Sequence, residues 1–128
     1  MIYYNGTIVK VSFEEALLLV TEALKEEGFG VLTEIDVQAT FKKKLDVDFK
    51  KYKILGACNP VFAHKAISLE DKIGVMLPCN VVVQENVDGV VEVSAVSPMA
   101  SMMSVANSQL GAIASEVEEK LKRVIDSL

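Results

Sequence analysis

The chain has 128 residues, enough for one domain that buries roughly two thirds of the surface its unfolded form exposes, so folding requires no metal or disulfide staple. Hydrophobic residues make up 51% and charged residues 24%, a globular balance that excludes intrinsic disorder. The net charge of −5 disfavours nucleic acid, which needs a basic face, and electrostatic attachment to anionic lipid, so neither nucleic acid nor a membrane is expected as a partner.

Met1-Ile2-Tyr3-Tyr4-Asn5-Gly6 shows no basic stretch followed by an apolar segment, and no secretory signal is read there. Two cysteines are not a disulfide scaffold, which points to the cytoplasm and to reduced thiols. Thr7 to Val11 reads as a short strand. Ser12-Phe13-Glu14-Glu15 has the form of a capping box, and Phe13, Leu17, Val20 and Leu24 follow as the apolar stripe of a helix that Gly28 ends. The next run alternates: Phe29, Val31, Thr33, Ile35 and Val37 fall on one face of a strand, Leu32, Glu34 and Asp36 on the other. Phe41 and Leu45 mark a short helix containing Lys42, Lys43 and Lys44.

Tyr52 to Ala57 is the next strand. Asn59-Pro60 predicts an N-cap followed by proline at the first helical position, and Phe62, Ala63, Ala66 and Ile67 give that helix its apolar face. Val75 to Leu77 and Asn80 to Glu85 have strand character interrupted at Pro78, and Asp88-Gly89 turns the chain into Val90 to Val96 as a hairpin. No charge occurs between Val93 and Ser115, but Pro98, Asn107, Gln109 and several serines make that stretch too polar for a membrane span; it reads as a strand end, a loop and a helix start. Leu110, Ile113, Ala114, Val117, Leu121, Val124 and Ile125 form the stripe of the last helix, opposite Glu116, Glu119, Lys120 and Lys122. Residues 1–128 thus read as a single α+β domain, a two-layer α/β sandwich with helices on one face of a mainly antiparallel (mixed) sheet.

Two blocks each carry a Cys-Asn pair: Leu55-Gly56-Ala57-Cys58-Asn59-Pro60 and Leu77-Pro78-Cys79-Asn80-Val81-Val82-Val83. With Gly28-Phe29-Gly30-Val31-Leu32-Thr33-Glu34-Ile35-Asp36 and Tyr52-Lys53-Ile54-Leu55-Gly56 they resemble the bacterial and archaeal family known as domain of unknown function 302, over nearly the whole chain. The resemblance implies an α/β sandwich that associates as a homodimer and implies no activity. One departure is Asn107-Ser108, where the family often has Asn-Pro before the last helix. Proline is optional at a helix start, so the fold is expected to tolerate it.

The chemistry rests on few residues. Cys58 precedes a predicted helix start, whose free amides and dipole favour a thiolate, so Cys58 is expected to be the more acidic thiol. If the two strands are neighbours, Cys58, Asn59, Cys79 and Asn80 converge as a small-ligand site, with the thiols close but not bridged; the alternative is that both cysteines are core residues and the asparagines caps. Glu34 and Asp36 are candidates for a paired acid and base beside it, or a solvent-facing strand edge. His64 and the three lysines read as solvated, and with no Cys-x-x-Cys or His-x-x-His pair no metal site is expected. Nucleotide loops, the nucleophile elbow and zinc-protease motifs are missing, and no cofactor can be named. Three functions stay open: a small-ligand-binding module, thiol redox or sulfur transfer through Cys58 or Cys79, and a structural or adaptor dimer. The uncharged segment with Ser97, Met99, Met102, Met103 and Ala106 is the expected homodimer contact.

Overall fold

The computed structural model describes residues 2–128. Strands β1 (Tyr4–Val9), β2 (Gly30–Asp36), β3 (Tyr52–Cys58), β4 (Cys79–Glu85) and β5 (Val91–Val96) form one sheet in the order β1-β5-β4-β3-β2. Every neighbouring pair is antiparallel. Helices α1 (Phe13–Glu26) and α5 (Leu110–Asp126) pack on one face of it. Between them the chain adds α2 (Val37–Leu45) against β3, α3 (Pro60–Leu69) against α5, and the single-turn α4 (Pro98–Ser101).

Alternation decides which residues make the core. Leu55 and Ala57 of β3, Val81 and Val83 of β4 and Val91, Val93 and Ala95 of β5 point at the helices and are buried. They meet the α1 stripe of Phe13, Ala16, Val20 and Leu24 and the α5 stripe of Val117, Leu121, Val124 and Ile125. At ~25 cal/mol per Å² of apolar surface removed from water, this contact supplies most of the drive to fold. A second, smaller cluster of Ala66, Ile73 and Leu110 sits where α3 meets α5.

Local signals explain the element ends. Ser12 Oγ accepts from the Glu15 amide at 3.1 Å, the N-cap half of the expected box. Gly28, at φ +85°, follows α1 as its left-handed terminator, with the Phe29 amide reaching back to the Leu24 carbonyl. Asn107 holds the entry to α5: its Oδ1 accepts from the Gln109 amide and its Nδ2 donates to the Leu69 carbonyl at the end of α3.

Three expectations change. The first strand begins earlier and ends earlier than Thr7 to Val11, because its pairing partner β5 reaches Val96, opposite Tyr4. Val75 and Met76 lie in a 3-10 turn, Asp71–Met76, and not in a strand; Ile73 is the one buried side chain of that turn. The alternation of β2 is broken by a bulge. Val31 pairs with Ala57 on the helix side, whereas Thr33 and Ile35 pair with Gly56 and Ile54 on the other, so the apolar set predicted for a single face is divided between two.

Gly56 shows how tightly that bulge is packed. A Cβ there would collide with Thr33 Oγ1 across the strand and lie 2.8 Å from Pro78 Cγ. Gly56→Ala should therefore lower stability by roughly 1–3 kcal/mol, the usual cost of overpacking, read from urea unfolding. Removal of Thr33's side chain in Thr33→Gly should recover part of that loss.

One acidic side chain enters the interior. Glu118, on the sheet side of α5, is buried and accepts from Ser97 Oγ (2.5 Å), the Met99 amide (3.2 Å) and Asn5 Nδ2 (2.8 Å). It thereby ties α5 to β1, to the end of β5 and to the first turn of α4. Glu118→Ala would leave a buried hydroxyl and a helix-start amide without their acceptor, and we expect a loss of ~3 kcal/mol. Glu119→Ala, one residue on and exposed, should stay within ~0.5 kcal/mol of the parent in the same urea titration.

Candidate functional site

The side chains that line the site come from the ends of several elements. Ala57 and Cys58 close β3, Cys79 opens β4 directly opposite Ala57, and Phe29 and Leu32 come from the start of the bulged β2. Across from them stand α3, through Phe62, Ala63, Ala66 and Ile67, and α5, through Ile113, Ala114 and Val117. Leu77, Pro78, Pro98 and Met102 complete the wall. Together they bound a cleft of about 270 Å³. Its origin is in residue size: α3 and α5 face each other with Ala63, Ala66 and Ala114, which are too short to fill the space between the helices.

The lining is almost wholly apolar. Its polar groups are the two thiols and Asn59, and Asn59 is already engaged, since Nδ2 donates to the Glu27 carbonyl at 3.3 Å. Asn59 thus occupies the N-cap position of α3, ahead of Pro60, but its side chain does not cap that helix as expected. It fastens the start of α3 to the end of α1 and packs against Gly28, where a Cβ would come within 3.1 Å of Nδ2.

Cys58 and Cys79 are both free and share this cleft. Cys79 is buried, and that burial, reinforced by the neighbouring Cys58, pushes its thiol up to about 11. At pH 8 only about one Cys79 in a thousand is then a thiolate, the form that attacks electrophiles.

Residues 6–128 match the family described as domain of unknown function DUF302. The chain belongs to this family. It is also similar to the crystal structure of the uncharacterized conserved protein DUF302 from Bacillus stearothermophilus, with a TM-score of 0.91 and 28% sequence identity over 98% of each chain. No curated protein matches the chain.

In this DUF302 chain the two Cys-Asn pairs behave differently. Cys58, the last residue of β3, and Asn59, just beyond the strand's end, both reach the cleft, because alternation no longer holds once the strand has ended. Cys79 and Asn80 are successive residues inside β4, so they point to opposite faces: Cys79 into the cleft, Asn80 onto the far side of the sheet beside Val82 and Tyr52. The structure therefore brings together three of the four corner residues.

Glu34 and Asp36 do not line the cleft. Glu34 pairs with Lys53 at 2.7 Å, and Asp36 caps α2 by accepting from the Ala39 amide at 2.9 Å, which accounts structurally for both carboxylates. His64 is exposed on α3, and Lys42 pairs with Asp46 and Asp48. Of the methionine segment, Met99, Met103 and Ala106 are exposed, Met102 turns into the cleft, and Ser97 is buried against Glu118. Ser97 is therefore closed to a partner, because its hydroxyl serves the protein's own interior.

The burial of Cys79 sets two expectations. In the folded protein iodoacetamide should label Cys58→Ser, which keeps only Cys79, far more slowly than Cys79→Ser at pH 8, and urea should abolish the difference. Because the folded thiol ionises later than the unfolded one, its contribution to stability is complete below about pH 9 and is lost as pH rises towards 11. The wild type should accordingly lose stability more steeply over that window than Cys79→Ala does.

Proposed function

We propose that the protein is a binding module that takes a small, predominantly apolar molecule into the cleft between α3, α5 and the β3–β4 strand ends. The observation that carries this reading is the cleft itself: about 270 Å³ bounded by apolar side chains, where Phe29, Ala57, Cys79 and Val117 of the core give onto open space. Ligand sites are characteristically apolar concavities with a few placed polar groups, and here those groups are the thiols of Cys58 and Cys79. A dry apolar cavity of ~150 Å³ accommodates benzene, so this one suits a molecule of roughly ten to twelve non-hydrogen atoms. The Cys79 thiol would orient it as a weak donor rather than attack it, since burial keeps that thiol protonated through the neutral range. A cytoplasmic location, where both thiols remain reduced, is part of the same proposal. No helix among the described residues is long and apolar enough to cross a membrane.

Thiol redox or sulfur transfer is the second reading, favoured by the opening of both cysteines onto one cavity. It would have to work through Cys58, the less buried of the two. The two readings separate experimentally. With 2-naphthol as an apolar probe, isothermal titration calorimetry should show one saturable site on the wild type and on the Cys58→Ser, Cys79→Ser double variant, and none on Ala63→Trp, which fills the cleft from α3. Saturation should also raise Tm, as any ligand of the folded state does. Loss of binding in the double variant alone would shift the case to the thiols. Absence of a saturable site on the wild type would sink the apolar-ligand reading and leave a structural or adaptor role.

A further inference from the structure

A second hollow, of about 190 Å³, lies between the α4 turn, the loop that follows it and the start of α5. Two side chains, Met102 and Ala114, line both this hollow and the cleft. Ala114 is buried on α5 and gives the two spaces a common floor one methyl group high. What divides them is therefore Met102, which is half-buried. A methionine side chain is unbranched, turns about three single bonds and adapts its shape at low cost, so it separates the spaces without sealing either. The floor stays low one turn earlier on α5, where a Cβ on Gly111 would meet nothing within 4 Å.

Among the described residues neither space has an acidic or basic side chain in its wall. The hollow ends instead at Asn107 and Ser108. Asn107 is already engaged, through the Gln109 amide and the Leu69 carbonyl, whereas Ser108 stands exposed at the rim.

We infer that the cleft and the hollow form one elongated site with Met102 as its movable partition, and that this site takes a linear, uncharged amphiphile: an unbranched hydrocarbon chain with a hydroxyl or amide head. The inference rests on the cleft being a small-molecule site, and it names the class of ligand and the residue that governs its length. By the benzene measure the hollow adds room for roughly seven non-hydrogen atoms beyond those the cleft holds. Shape selects a chain, because two spaces joined across a single alanine pass a string of methylenes but not a fused ring. Charge selects the head. A carboxylate or phosphate would lose hydration with no cation to replace it, whereas a hydroxyl remains at the wet rim beside Ser108 while the tail passes Met102 into the cleft.

Competition calorimetry on the full chain tests this. Protein equilibrated with 1-octanol, 1-decanol, 1-dodecanol or 1-tetradecanol is titrated with 2-naphthol, and each alkanol's affinity is read from the displacement. In the wild type, affinity should rise about fourfold per added methylene through 1-tetradecanol, past the length the cleft alone accommodates. Helical side chains lean towards the N-terminus of their helix, so the ring of Gly111→Phe would lie over the hollow and fill it from outside the cleft. That variant should bind 2-naphthol and 1-octanol as the wild type does, which also reports that it is folded, but its series should level off at 1-decanol. Met102→Ala, with the partition removed, should keep rising over the whole range. A wild-type series that levels off at 1-decanol, a Gly111→Phe series that keeps pace with the wild type, or a cut-off in Met102→Ala would each overturn this inference while 2-naphthol still binds. Failure of 2-naphthol to bind the wild type would remove the small-molecule reading itself, and this inference with it.

Discussion

The carboxylate of Glu118 joins the two halves of this molecule. A charge placed in an apolar interior survives only with its lone pairs satisfied, and here a hydroxyl, a main-chain amide and an amide side chain do so from three separate segments. Because those donors lie on β1, at the β5 exit and in α4, the bond set fixes the sheet's outer edge, the turn beyond it and the N-terminal half of α5 as one unit. The same half of α5 carries Ile113, Ala114 and Val117, and the same turn carries Pro98 and Met102, all of them walls of the cleft. The geometry of the candidate site is thus inherited from a polar tie outside it. Networks of this kind fix position more than they add stability, because satisfying the charge mainly offsets the cost of its burial.

The cleft combines what the core lacks. Elsewhere large aliphatic side chains from sheet and helix interdigitate, whereas between α3 and α5 alanines face each other across open space. Two weakly polar thiols on the floor add recognition without charge. This arrangement favours a ligand that water solvates poorly, and it disfavours phosphates or carboxylates, for which no basic side chain lines the wall. The high thiol value at Cys79 follows from its own burial beside Cys58.

Patterns with a regular period could be read directly from the sequence. The stripes of α1 and α5, the hairpin at Asp88-Gly89 and the termination at Gly28 each depend on neighbours a few residues apart, and each is formed as expected. The departures arise where tertiary contact overrides local preference. The β2 bulge depends on Gly56 of another strand making room for Thr33, which no pattern within β2 contains. Val75 and Met76 are apolar enough for a strand, but the chain there must place Ile73 beneath Leu110, and a tight turn does so. In the site, the two Cys-Asn pairs were expected to converge; Cys58, Asn59 and Cys79 line one cleft, and parity within β4 turns Asn80 to the other face. The stripe of Phe62, Ala63, Ala66 and Ile67 was visible as an apolar helix face, but the space left by its alanines depends on what α5 presents opposite. Glu118 carried no signal at all: within α5 it is one of several glutamates, and only the position of Ser97 and Asn5 distinguishes it.

The strand order has a consequence for how the molecule comes into being. β1 is made before the other four strands, yet its partner in the sheet is β5, and Tyr4 pairs with Val96 across the three intervening strands of the sequence. The β2-β3-β4-β5 meander can close step by step as each strand emerges, through contacts of moderate sequence separation, whereas β1 must wait, unpaired, until β5 has been made. Loop-closure entropy makes such a pairing slow and late. During that interval Ile8 and Val9 belong to an unpaired strand, and the last steps of folding are the docking of that strand and the seating of α5, whose Glu118 accepts from Asn5 only once both have arrived.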